Sequence, residues 1–187
     1  MRSMSPMGRA MLLLAVQAVL VLSIAGKYLY ERMTCPRVWV RAAQYGANAS
    51  LRGRYLGMQL VVDGCGLPRD AAHHIKPEIR SVSTFAVSWR WTVRLEAQGG
   101  KLVPVLASDT DRPEITAAVS IWGGRPCDRA TLAQGVGYFI SDTAKNPFPP
   151  KQGEELWVEV TVPPMGSPRP IQLAVSKDGV FTPLVLQ

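Results

Sequence analysis

The stretch Thr84-Phe-Ala-Val-Ser-Trp-Arg-Trp-Thr-Val-Arg-Leu-Glu96 alternates without a break. Phe85, Val87, Trp89, Trp91, Val93 and Leu95 fall on one side, and Thr84, Ser88, Arg90, Thr92, Arg94 and Glu96 on the other. A strict period of two predicts an antiparallel strand with one covered face and one wet face. Large paired indoles on the covered side serve most often as core, so Trp89 and Trp91 are read as packing before they are read as a ligand platform.

The pattern repeats on both sides. Gly99-Gly100 predicts a hairpin turn, with Leu102 to Ala107 returning along the strand. Upstream, Arg37 to Arg41 alternates, and Leu56, Met58, Leu60 and Val62 share a face opposite Tyr55, Gln59 and Val61. Downstream, Ile115 to Trp122, Gly137 to Ile140 and Leu156 to Val162 read as strands. A last hairpin, Ile171–Val175 with Val180–Leu186, turns at Lys177-Asp178-Gly179. Gln44 to Ser50 (with the sequon Asn48-Ala-Ser50), Ala71 to Arg80 with its two histidines, Ser108 to Pro113 and Asn146 to Gln152 read as loops. Thr131 to Gly135 reads as a short helical turn. Eight or nine short strands joined by turns predict an all-β domain, a sandwich or a partly closed barrel.

The chain ahead of these strands is different. Residues 10–26 carry no charge and are bounded by Arg9 and Lys27. Seventeen apolar residues are the lower limit for a helix that spans a bilayer, and Tyr28 and Tyr30 are aromatics of the interfacial kind. Two readings stand: an uncleaved anchor, or a signal peptide cut after Ser23-Ile-Ala25. The organisation expected is a basic tail (1–9), a transmembrane anchor (10–26), a juxtamembrane linker (27–36) and an extracytoplasmic β domain (37–187). About 150 residues after the anchor suffice for one domain with a real core.

The net charge is +7; Arg2 and Arg9 precede the apolar segment, leaving 19 basic residues against 14 acidic. This modest excess suits solubility or anionic headgroups. No dense Lys/Arg stripe with interleaved aromatics occurs, which argues against a nucleic-acid partner. Of the 3 cysteines, Cys65 and Cys127 both sit in turn contexts and are the preferred disulfide pair in an oxidising compartment, leaving Cys35 either free or bridging two protomers. No C-x-x-C, G-x-S-x-G, H-E-x-x-H or S-x-x-K occurs. The loop acids Asp109, Asp111 and Asp142 have no assigned catalytic partner. No catalytic residue, metal ligand set or cofactor is therefore expected.

The run Gly53-Arg54-Tyr55-Leu56-Gly57-Met58-Gln59-Leu60, the blocks Tyr138-Phe139-Ile140-Ser141-Asp142 and Gly153-Glu154-Glu155-Leu156-Trp157, and the turn Lys177-Asp178-Gly179 resemble the GDYXXLXY family of bacterial membrane-tethered proteins. Gly53 and Tyr55 match the signature; Arg54 stands for its Asp, Met58 for its Leu and Leu60 for its last Tyr. The resemblance implies an anchored, exported domain on the bacterial inner membrane, facing the periplasm. It implies no established activity, and it suggests a multi-pass membrane protein as partner. The expected function is a non-enzymatic partner-binding or accessory role in the envelope, with Arg52, Gly53, Arg54, Tyr55, Gln59 and Asp142 as candidate binding residues. Alternatives are binding of lipid or polyanion, or an envelope hydrolase.

Overall fold

The computed structural model describes residues 5–45, 55–75, 88–122, 124–141, 144 and 146–184. The chain divides into two compact units, Met1–Cys35 and Pro36–Gln187, described here in turn.

The first unit is one helix, α1 (Pro6–Thr34). Ser5 caps it by accepting from the Gly8 amide at 3.2 Å, and Pro6 takes the first turn, where its missing N–H costs nothing. The helix stops at Cys35, whose neighbour Pro36 disfavours helical backbone before it. At ~1.5 Å per residue the helix is about 43 Å long. The span expected over 10–26 lies inside it, but the linker expected over 27–36 is helical as far as Thr34. Caps and the first proline set these ends, and Tyr28 to Met33 contains no helix breaker. Hydroxyls along the helix turn inward on the backbone: Ser23 donates to the Leu20 carbonyl and Thr34 to that of Tyr30, each at 2.8 Å. The helix is long and apolar enough to cross a membrane, and its most apolar stretch is uncovered by protein.

The second unit is antiparallel β throughout. Its strands are β1 (Arg37–Gln44), β2 (Tyr55–Val62), β3 (His73–Ile75), β4 (Ser88–Gln98), β5 (Lys101–Leu106), β6 (Thr116–Trp122), β7 (Ala130–Leu132), β8 (Val136–Phe139), β9 (Glu154–Thr161), β10 (Arg169–Lys177) and β11 (Val180–Leu184). They form one sheet in the order β11-β10-β9-β1-β2-β7-β6-β4-β3, with β8 continuing beside β2 and β5 beside β4. The sheet coils until β5 approaches β1 and β2 without pairing to them. It is a curled sheet not closed into a barrel.

The expected alternation is what the core uses. Leu56, Met58 and Leu60 of β2 are completely buried, and each such side chain is worth roughly 1.5–3 kcal/mol of burial. Leu156, Val158 and Val160 of β9, Val38 and Val40 of β1, and Trp91 and Val93 of β4 complete the inner surface. Both expected hairpins form. Gly99 and Gly100 have φ of 56° and 76°, and Asp178 and Gly179 have 51° and 81°, the paired left-handed backbone of a two-residue turn.

Among the described residues there are eleven strands, more than the eight or nine expected, because β3 and β7 have three residues each. The helical turn expected over Thr131–Gly135 is a correction. A 3-10 turn occupies Cys127–Arg129, and Ala130–Leu132 is strand, paired to β2 on one side and β6 on the other. All three residues of β7 are buried, so no alternation marks them as a strand.

Candidate functional site

Tyr55 opens β2 and lies opposite Phe139, the last residue of β8. Their rings meet edge to face, with centroids 5.7 Å apart and planes at 76°. Tyr55 is 59% and Phe139 56% exposed. The strand pattern forces this. Leu56 and Ile140, the next residue along in each case, are buried, so Tyr55 and Phe139 face out.

Gln59, on the same face of β2, does something else. Its Nε2 donates to the Leu132 carbonyl at 3.2 Å and so fastens β2 to β7. Arg52, Gly53, Arg54 and Asp142 lie outside the described residues, as do the sequon at Asn48 and the strand residues before Ser88. Phe139 was not among the expected binding residues, although the alternation Gly137 to Ile140 could have found it.

The other sequence candidates serve the framework. Cys65 and Cys127 form a disulfide, 62 residues apart in sequence, beside a bond from the Gly64 amide to the Cys127 carbonyl at 2.9 Å. Cys35 is the free thiol. Trp91 is 2% exposed and donates from Nε1 to the Pro68 carbonyl at 2.8 Å. Trp89 is half-buried with the Arg69 guanidinium 5.9 Å from its ring centre. Asp111 accepts from the Ser108 amide at 2.8 Å and pairs with Arg94 at 3.6 Å, bracing its own loop. Among the described residues no three His, Cys, Asp or Glu converge as metal ligands would.

A concavity of about 940 Å³ opens where the sheet fails to close. β5 forms one side, and the ends of β1 and β2 with Leu67 and Pro68 form the other. Trp39, Trp157 and Phe181 stand along its rim. No family model, curated protein or solved structure matches the chain.

Proposed function

We propose that the protein is a single-pass accessory protein of the bacterial envelope, anchored by α1 in the inner membrane with its β domain in the periplasm. It acts by binding, and its partner is a multi-pass membrane protein engaged through the Tyr55–Phe139 pair. The observation that carries this is the exposure of those two edge-to-face rings, at the start of β2 and the end of β8. Tyrosine and other aromatics supply large, stiff contact area at low entropic cost and dominate binding surfaces. The Cys65–Cys127 disulfide supports export, because such bonds persist in oxidising compartments.

Co-purification from membranes tests the reading. The tagged full-length chain and its Tyr55→Ala/Phe139→Ala double variant are recovered after chemical cross-linking, and partner yield is quantified. The double variant should keep its thermal midpoint and lose at least tenfold in partner recovery. Equal recovery from both chains would remove this surface from consideration.

A further inference from the structure

The open seam of the sheet carries a second site, remote in the fold from the Tyr55–Phe139 pair. Its rim comes from one face of three strands. Trp39 of β1 lies opposite Glu159 of β9, Arg41 opposite Trp157, and Phe181 of β11 opposite Ser176 of β10. Phe181 packs between the indoles, 5.7 Å from Trp39 and 5.3 Å from Trp157. Polar groups on the same face are already oriented: Arg41 holds Glu155 at 2.6 Å, and Gln172 donates to Glu159 at 2.9 Å. The cleft itself is lined by two cations, Arg41 and Lys101, and two anions, Asp63 and Asp128. A balanced lining favours a neutral ligand.

Two details narrow the ligand class. The first is the indole nitrogen of Trp157, which is buried without a hydrogen-bond partner among the described residues. An unmet buried donor calls for an acceptor. Phe181, 44% exposed on an edge strand, packs against the same indole at 5.3 Å between ring centres. The second is Pro104. The Ala107 amide bonds to the Thr92 carbonyl, which fixes the alternation along β5 so that residues 102, 104 and 106 direct their backbone groups to the open side. A proline at the middle position breaks the ladder that an added peptide strand would need. The cleft therefore suits a ligand held by ring stacking and side-chain polar groups, not by backbone pairing.

We infer that this cleft binds a neutral glycan chain of acetamido sugars. Sugar rings present flat C–H faces to Trp39 and Phe181, an acetamido carbonyl meets the Trp157 N–H, and hydroxyls meet Arg41, Asp63 and Asp128, which line the cleft. A volume near 940 Å³ is at the upper end for a ligand site and fits a chain better than one ring.

The test uses full-length protein in lipid nanodiscs, free of sugar detergents, titrated with chitohexaose. Intrinsic tryptophan emission and calorimetry are the readouts. Saturable binding is expected, weakened at least tenfold by Trp39→Ala and by Phe181→Ala and unchanged by Phe139→Ala. Phe181→Ala, at an exposed position, decides the matter where Trp39→Ala does not fold. Absence of a saturable response from folded protein, or equal affinity in the Phe181→Ala variant, overturns the inference. Loss of binding in Phe139→Ala would do the same.

Discussion

Gln59 reaches across from β2 and donates to the backbone carbonyl of Leu132, 3.2 Å away. Four residues before it on the same strand face, Tyr55 stands 59% exposed against Phe139. One face of one strand thus carries a structural group and a presented one. Removing the Gln59 amide deletes a neutral hydrogen bond to a backbone carbonyl. Gln59→Ala should lower stability by about 1 kcal/mol and leave partner recovery unchanged. Tyr55→Ala should do the reverse. A thermal melt run beside the co-purification separates them, and partner loss in Gln59→Ala at an unaltered melting point would show that Gln59 also binds.

Met58 and Leu60 lie on the inner face of β2, and both are fully buried. Met58→Leu conserves volume and should cost less than about 1.5 kcal/mol. Leu60→Tyr inserts a larger ring and a hydroxyl into a filled interior and should cost roughly 1–3 kcal/mol or more. Leu60→Ala, which leaves a cavity, should cost about 2–5 kcal/mol. Urea midpoints of the three variants would order them, and a stabilised Leu60→Tyr would mean that this position has room the structure does not show.

The legible parts of the fold are those where one face is wet. β2 and β9 alternate because water touches one face, and their inner faces were readable; in β4 Trp91 and Val93 are buried as expected, but Ser88, expected on the wet face, is buried too. β7 was not readable, since Ala130, Thr131 and Leu132 are all buried. α1 runs beyond the apolar stretch 10–26 at both ends, because Ser5 and Pro36, not apolar composition, mark where the helix ends. The cleft was beyond reach for a different reason. Trp39, Trp157 and Phe181 belong to three strands, and only the order β11-β10-β9-β1 brings them to one rim.

The disulfide clasps the end of β2 to the turn before β7. By the chain-entropy argument, a closed loop of this length stabilises by about 4 kcal/mol. Cys65→Ser/Cys127→Ser should lose stability of that order, read as a drop in melting temperature. The neighbouring Gly64 has no space for a side chain, because a Cβ there would sit 3.0 Å from the Ala130 Cβ and 3.3 Å from the Cys127 carbonyl. Gly64→Ala should therefore destabilise the same clasp with the disulfide present. Maleimide labelling of the unreduced protein should modify Cys35 alone; labelling of Cys65 or Cys127 without reductant would mean the clasp is open.

The side of the membrane on which the β domain stands follows from competing charges. Arg2 and Arg9 precede the apolar run, while Lys27, Arg32, Arg37 and Arg41 follow it closely, and a short flank of that composition is normally retained inside. A domain of about 150 residues translocates largely regardless of such charges, and the oxidised Cys65–Cys127 pair is at home outside. Alkaline phosphatase fused beyond Gln187 should thus be active in the membrane fraction at full-length mass, and a fluorescent fusion that folds only in the cytoplasm should stay dark. The opposite result would place the domain inside. The two cysteines would then be reduced thiols in the cell, and the stabilisation assigned to the clasp would be missing there. Activity at a mass reduced by the N-terminal segment would instead mean that cleavage after Ala25 releases an exported, unanchored domain.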